Sequence, residues 1–257
     1  MLRSLTTLRR YHIEALDGRL GAVRDIYFDD RDWIVRYFVV DTGGWLTGRQ
    51  VLISPASVRD VDWDSAVVAV QLTRAQIKQS PDISADEPVS RQMERELIDY
   101  YAWPLYWGPS VGSPGATWAG AEAPAMPLAE RATQRSTHGD PNLRSVRAVT
   151  GYYISARDGD IGHVEDFLAD EDDWTIRYMV VDTRNWLAGR TVLVAPRWIR
   201  EIDWANTRVH VIVDRAAIER SPAWDPARAL DRDYEARLFA HYNQAGYWRP
   251  VEAGRPR

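Results

Sequence analysis

The chain of 257 residues contains no cysteine, which excludes disulfides, thiolate metal sites and a cysteine nucleophile. It is also nearly free of lysine, because Lys78 is the only one and the remaining basic residues are arginines or histidines. The arginines alternate with carboxylates along the chain, and the formal net charge is −5. A polyanion is bound by clustered cations, so this charge pattern disfavours nucleic acid as a partner.

Long apolar runs are missing as well. None approaches the ~18 residues that a membrane-spanning helix needs, so no transmembrane segment is predicted. The N-terminal stretch "MLRSLTTLRR" is too short and too polar for a signal peptide. The expected location is therefore the cytoplasm, and the expected class is a globular protein without a membrane anchor.

The chain repeats itself with an offset of 141 positions. Residues 1–107, the first copy, align without a gap with residues 142–248, the second copy, and 43 of the 107 positions are identical. Residues 108–141 are rich in Gly, Pro, Ala and Ser and predict a linker, and residues 249–257 form a tail. We therefore expect two domains, one for each copy.

Each copy has the pattern of a mainly β domain. The Asp-Gly pairs that begin at Asp17 and Asp158 separate short apolar segments, which indicates a hairpin. Residues 33–40 and 174–181 alternate with β-branched and aromatic side chains, so they predict a strand covered on both faces. Further strands are expected at 49–53, 58–63 and 67–72 and at their counterparts. Such strands indicate a small barrel or a rolled antiparallel sheet.

Two helical segments follow the strands of each copy. The first is a single turn that ends before Pro81 or Pro222, and the second is a longer helix at 91–101 or 232–242. The longer helices carry apolar residues on one face, namely Met93, Leu97, Ile98 and Tyr101, or Tyr234, Leu238, Phe239 and Tyr242. We expect the copies to form an intramolecular pseudo-dimer about a pseudo-twofold axis, with these helices helping to close the contact.

The segments "DGRLG" and "RYFVVDTGGWLTGRQVLISP", with "DGDIG" and "RYMVVDTRNWLAGRTVLVAP" in the second copy, resemble the PRC-barrel family. The resemblance covers about residues 4–72 and 145–213. It implies two tandem small antiparallel PRC-type β-barrels, each followed by a C-terminal helix. The family includes the cytoplasmic domain of the photosynthetic reaction centre H subunit and the C-terminal barrel of the ribosome maturation factor RimM. A fold shared by such different proteins does not define a function.

The sequence contains no recognisable arrangement of catalytic residues. In "GGWLTGRQ", Arg49 replaces the lysine of a phosphate-binding loop, and a strand follows where that loop needs a helix. His163 and Glu165 offer only two metal ligands on one strand face. The histidines have no histidine counterparts in the other copy; they are His12, His138, His163, His210 and His241. The acidic turns at 29–32 and 170–173 lack the glycine and distal glutamate of a calcium-binding EF-hand loop. We predict no catalytic residue, cofactor or metal, and a protein that is not an enzyme.

The candidate partner-binding site is a set of repeated polar residues at the end of the central strand. Its members are Asp41, Thr42, Trp45 and Arg49, with Asp182, Thr183, Trp186 and Arg190 in the second copy. In one interpretation the Asp and Arg pair across a hairpin while the Trp covers the end of the barrel. In the other, the Trp and Arg form a contact patch for another protein.

The predicted function is a protein interaction or assembly module. The resemblance implies two alternatives. One is an accessory role in photosynthetic or other membrane electron transport, as for the H subunit. The other is RNA processing or ribosome association, as for RimM. The chain has neither the transmembrane helix of the H subunit nor the separate N-terminal domain of RimM, so we expect neither role to transfer whole.

Overall fold

A computed structural model describes residues 1–46, 48–81, 91–104, 142–183, 190–226 and 230–248, without the side chains of residues 45 and 91–93. Both copies are mainly β, as predicted, and their elements follow the same order. The first copy contains β1 Leu2–Ser4, α1 Leu5–Leu8, β2 His12–Ala15, β3 Gly18–Asp29, β4 Ile34–Asp41, β5 Gln50–Ile53, β6 Val58–Asp62, β7 Val67–Val70, α2 Arg74–Gln79 and α3 Arg91–Tyr101. The second contains β8 Leu143–Ser145, α4 Val146–Val149, β9 Tyr153–Ala156, β10 Gly159–Asp170, β11 Ile176–Asp182, β12 Thr191–Val194, β13 Ile199–Asp203, β14 Arg208–Val211, α5 Arg215–Glu219 and α6 Arg232–His241. Short 3-10 turns lie at Gly43–Leu46, Pro55–Ser57 and Pro196–Trp198.

The strands form two sheets of seven strands. Their hydrogen-bonded order is β5-β4-β3-β2-β7-β6 in one and β12-β11-β10-β9-β14-β13 in the other, with β8 also paired to β3 and β1 to β10. The pairs β2–β7 and β9–β14 are parallel, which differs from the antiparallel arrangement expected throughout. Each parallel pair joins strands that are distant in sequence, and alternation of side chains along a strand carries no information on the direction of its neighbour.

The tight turns follow from residues that accept a positive φ. The predicted hairpin joins β2 to β3, and Gly18 adopts φ 129° at its end. Before the central strand, Trp33 and Trp174 adopt φ 58° and 59°, and each donates its backbone N–H to the carbonyl of the aspartate four residues earlier at 2.8 Å. The strand therefore begins after the tryptophan rather than at it, at Ile34 in the first copy and at Ile176 in the second.

The central strand is covered on both faces, as predicted. Val35, Tyr37 and Val39 are buried on one side of β4, and Phe38 and Val40 are buried on the other, each at most 2% exposed. Pleated backbone alternates side chains between two faces, so only a strand inside the core buries both sets.

The chain divides into two compact units. Unit 1 comprises Met1–Arg10, Asp25–Arg36 and Arg144–Arg257, and unit 2 comprises Tyr11–Arg24 and Tyr37–Leu143. Unit 1 therefore draws residues from both copies, because two segments of the first copy pack with the second.

Within unit 1, the N-terminal arm of the first copy, β1 with α1, lies on the long strand β10. The pairing is antiparallel, with Leu2 opposite Asp170 and Ser4 opposite Leu168. The hydroxyl of Ser4 donates to Asp166 Oδ2 at 2.5 Å, and the backbone N–H of Thr6 donates to Oδ1 of the same carboxylate at 2.9 Å. One carboxylate thus anchors both the strand and the first turn of the arm.

The N-terminal arm of the second copy, β8 with α4, makes the corresponding contacts in unit 1. The hydroxyl of Ser145 donates to Asp25 Oδ2 at 2.5 Å, and the backbone N–H of Arg147 donates to Oδ1 at 3.1 Å. Arg144 Nε lies 2.9 Å from Asp30 Oδ2 in an ion pair. The contacts of the two arms are made by residues related by the offset of 141. Each copy therefore binds the arm of the other copy in the same way.

The same symmetry appears where the central strands begin. Ile34 and Thr175, which are counterparts in the two copies, face each other in an antiparallel bridge. The backbone N–H of Val35 donates to the carbonyl of Trp174 at 3.0 Å, and that of Ile176 donates to the carbonyl of Trp33 at 2.6 Å. A residue that faces its own counterpart marks the position of a local twofold axis in unit 1.

Each of the longer helices packs on the sheet of its own copy. In unit 2, Leu97 and Ile98 of α3 are buried, and Glu94 accepts a hydrogen bond from the Tyr37 hydroxyl of β4 at 2.9 Å. In unit 1, Phe239 of α6 is buried with its ring centroid 5.4 Å from that of Trp198. Each helix therefore covers the sheet of its own copy, and the arms supply the contact between copies in unit 1. Of the helices in the described ranges, none combines the length and apolar character needed to cross a membrane.

Candidate functional site

The threonine of the candidate set closes the loop that follows the central strand. Thr42 donates both its backbone N–H, at 3.2 Å, and its hydroxyl, at 2.6 Å, to the carbonyl of Arg49. Thr183 makes the same two hydrogen bonds to the carbonyl of Arg190, at 3.1 and 2.8 Å. Both threonine side chains are buried, so they hold the base of the loop.

The arginine of the set stabilises the helix that follows the sheet. In unit 2, the Arg49 guanidinium donates to the carbonyls of Lys78 at 3.2 Å and Ser80 at 2.6 Å, at the end of α2. In unit 1, Arg190 donates to the carbonyls of Glu219 and Ser221. The last carbonyls of a helix have no partner within it, so an arginine fork satisfies them.

The aspartate of the set turns the chain after the strand. Asp41 Oδ1 accepts a hydrogen bond from the backbone N–H of Gly43 at 2.9 Å, and Oδ2 lies 3.7 Å from Arg24. In the second copy, Asp182 Oδ2 lies 3.6 Å from His163 Nε2. The side chain of Trp45 and the whole of Trp186 lie outside the described residues, so the proposed contact patch stays a prediction.

A repeated glycine lets β3 and β4 approach closely beside this loop. A Cβ added to Gly21 would lie 2.0 Å from the carbonyl oxygen of Asp41, and one added to Gly162 would lie 1.9 Å from that of Asp182. No side chain fits at such a distance, so the identity of this glycine in both copies has a steric reason.

In unit 2, Asp41 and Thr42 line an open cleft of about 470 Å³. Its other polar lining comes from β2, β3 and the start of α2: His12, Arg19, Arg24 and Arg74. His12 is partly exposed, but its Nδ1 atom is buried and has no hydrogen-bond partner among the residues described. The cleft therefore combines three guanidinium groups with one carboxylate at the end of the central strand.

Sequence reasoning missed a buried carboxylate in the longer helix. Glu235 is 4% exposed, and its Oε1 accepts hydrogen bonds from the hydroxyls of Tyr178 and Tyr247, both at 2.8 Å. Arg232 lies 3.0 Å from the other oxygen. Burial, followed by the interactions with Glu235, raises the pKa of Tyr247 to about 12. Burial and the charge of Glu235 also raise the pKa of Tyr178.

The first copy repeats this arrangement with Glu94, which is fully buried and bonded to Tyr37. The identity of this glutamate in both copies, between apolar positions of a helix, is the signal that could have revealed it. Its bonds tie the helix to the central strand, which is a structural role.

The described ranges contain no group of three or more His, Asp or Glu side chains arranged to hold a metal ion. The acidic turns use their carboxylates within the fold. Asp29 is 3% exposed and accepts hydrogen bonds from the backbone N–H groups of Arg31 and Asp32, at 2.9 and 3.4 Å. Arg36 forms an ion pair with Asp32 at 3.2 Å. The first acidic turn is therefore held together by its own residues.

Comparison with known proteins places part of the chain in a family. An uncharacterised protein of Deinococcus radiodurans is 37% identical over 75 residues, which are 29% of this chain and 27% of that protein. The matched part of the chain thus spans about a quarter of the relative's length. The family model of the PRC-barrel domain matches residues 11–75, which contain β2 to β7, the loop of the candidate site and the whole lining of the cleft. Residues 11–75 of this protein are a PRC-barrel domain.

Proposed function

We propose that this protein is a non-enzymatic, cytoplasmic interaction module in which the two copies form an intramolecular pseudo-dimer that holds a protein partner. The observation that carries the proposal is the reciprocal exchange of N-terminal arms in unit 1. Ser4 and Asp166 in one direction, and Ser145 and Asp25 in the other, make the same hydrogen bonds. A homodimer makes such isologous contacts only above its dissociation concentration, whereas a tandem chain makes them at any concentration.

The roles of the repeated polar residues support a scaffold rather than an enzyme. Thr42 closes a loop, Arg49 holds the end of α2, and Glu94 joins α3 to the central strand. Catalytic groups need a free, reactive atom in a cleft. Residues whose polar atoms already serve the backbone or the core are poor candidates for such work.

The test is recovery of a complex from native cells. The full chain, tagged at its C-terminus, is crosslinked briefly in the cell and purified, and copurifying proteins are quantified against an unrelated tagged protein. We expect at least one protein in near-equimolar amount that is absent from the control. Recovery of the chain with no stoichiometric protein, in repeated preparations, would contradict the interaction module.

A further inference from the structure

The cleft of the first copy differs in charge from the same place in the second. Arg19 and Arg24 line the cleft, and their counterparts are Asp160 and Glu165. Two cationic positions on β3 are thus two anionic positions on β10, while β3 and β10 pair with β2 and β9 in the same register.

In the second copy, one of these two positions, Asp160, is bound by neighbouring side chains. Asp160 Oδ1 accepts hydrogen bonds from Ser155 Oγ and Arg208 Nη1, both at 2.7 Å, and these bonds lower the pKa of Asp160. His163 extends toward Asp182, with its Nε2 atom 3.6 Å from the carboxylate. The second copy therefore has an ion pair of its own at the position of Arg19.

In the first copy, the positions of the two basic residues Arg208 and His163 hold residues that cannot form ion pairs. Val67 stands at the position of Arg208, and Ala22 at the position of His163. The guanidinium of Arg19 is exposed and has no ion pair with any residue that the structure describes. Small and apolar neighbours thus leave Arg19 accessible from the cleft.

Three carboxylates lie near these arginines. Asp41 lies 3.7 Å from Arg24, Glu14 is opposite Arg19 in the β2–β3 register, and Asp17 accepts the backbone N–H of Arg74 at 2.8 Å. Of the three, only Asp41 lines the cleft, against three lining arginines. The lining residues thus include three arginines and one carboxylate, while Glu14 and Asp17 lie beside Arg19 and Arg74.

We propose that this cleft binds an acidic segment of a protein partner, with Arg19 as the main contact for its carboxylates. The proposal rests on the proposed function and names the chemistry that the partner presents. A guanidinium donates two parallel hydrogen bonds to a carboxylate, which gives both strength and orientation. A cleft of about 470 Å³ is large enough for a few side chains. A nucleic acid would need a longer track of cations than one cleft supplies.

The experiment uses the purified full chain and fluorescein-labelled peptides. Hexaglutamate is titrated by fluorescence anisotropy, with hexaglutamine as the uncharged control and a single-stranded six-nucleotide DNA as the polyphosphate control. Inorganic phosphate and citrate are added as competitors, to separate a peptide site from a site for small anions. The variants are Arg19→Glu and Arg59→Glu, because Arg59 is exposed on β6 and does not line the cleft.

We expect hexaglutamate to bind, hexaglutamine not to bind, and the affinity to fall as salt is raised. Arg19→Glu should weaken binding at least tenfold, and Arg59→Glu by less than twofold. Thermal unfolding of both variants should match that of the parent chain. Equal losses in the two variants, no preference for hexaglutamate, or tighter binding of DNA or phosphate than of peptide would overturn the proposal.

The result separates this inference from the proposed function. If the partner recovered from cells binds Arg19→Glu as well as the parent chain, the inference is wrong and the interaction module stands. If hexaglutamate binds through Arg19 but no partner is recovered from cells, the cleft is an acidic-peptide site and the proposed function is wrong.

Discussion

The two copies of this chain share a scaffold and carry opposite charge at two positions of one cleft. Positions that serve the fold are identical, such as Gly21 and Gly162, which allow the close approach of two strands, and Thr42 and Thr183, which close a loop. Two positions that line the cleft, Arg19 and Arg24, have the acidic counterparts Asp160 and Glu165. Identity between the copies thus includes residues that shape both domains, and the reversed charges at positions 19 and 24 distinguish the surfaces of two domains with the same order of elements.

The largest effect is expected from the buried face of the longer helix. Leu97→Asp in the first copy and Leu238→Asp in the second should each cost about 3 kcal/mol or more, because an unpaired charge would enter the core. Both leucines are at most 1% exposed. Chemical denaturation of both variants measures the cost. A cost below 1 kcal/mol in one copy alone would show that the two helices are not equivalent.

The close approach at Gly21 gives the next largest effect. Gly21→Ala should destabilise the chain by about 1–3 kcal/mol, because its Cβ would overlap the carbonyl oxygen of Asp41. Gly44→Ala is the matched control, since no atom lies within 4 Å of the added Cβ and the φ angle there is not positive. Thermal unfolding compares the two variants. Equal stability would mean that the strands separate easily and that the glycine has no steric role.

Alkaline pH should weaken the contacts of the longer helices. Burial raises the pKa of Tyr101 and Tyr247 to about 12, above the ordinary value of 10. The unfolded chain loses these protons first, so stability is full below pH 10 and falls as pH rises from 10 to 12. The free energy of unfolding should fall by less than about 1.4 kcal/mol per pH unit for each tyrosine, because each side chain is partly exposed to solvent.

Denaturant unfolding at pH 9, 10 and 11 measures this loss. Tyr247→Phe should make the fall in stability shallower, and Tyr153→Phe, at a side chain that is 51% exposed, should leave it unchanged. A flat profile in the parent chain would contradict the role assigned to the buried hydroxyls.

The smallest effect is expected in the diverged cleft itself. Asp160→Arg should cost about 0.2–1 kcal/mol, because Arg208 and Ser155 lose a shared acceptor at a partly exposed site. Arg19→Asp should change stability by less than about 0.5 kcal/mol, since no ion pair of Arg19 lies within the described residues. Thermal unfolding of the two single variants checks the difference. Equal losses of stability in the two variants would mean that the hydrogen bonds of Asp160 do not stabilise the fold.

Most of the fold could be predicted from the sequence, because apolar side chains recur with the period of a strand or a helix and turn residues mark where each element ends. The hairpin at Asp17 and Gly18, the doubly covered strand that begins at Ile34, and the single turn before Pro81 are all observed. Turn residues and side-chain alternation are local signals, so they do not depend on the partner of each element.

Other features depend on contacts between distant residues and escaped prediction. The arms are made of a three-residue strand and a four-residue helix, which are too short to show a period. The parallel pairing of β2 with β7 joins residues more than 50 positions apart. At the candidate site, the types of Asp41, Thr42 and Arg49 suggested a polar loop, but their hydrogen bonds to backbone groups could not be read from composition.

The most direct test of the account is a disulfide between the two copies. Ile34 and Thr175 face each other as a non-hydrogen-bonded antiparallel pair, for which the Cα atoms are about 4.5 Å apart, within the range that a disulfide spans. The chain has no cysteine, so the double variant Ile34→Cys/Thr175→Cys contains only the two introduced thiols. After mild oxidation at low protein concentration, we expect complete loss of free thiol, a faster non-reducing gel band and unchanged mass in solution. Disulfide-linked dimers, or thiols that remain free while the chain is folded, would contradict the reciprocal contact of the two copies within one chain.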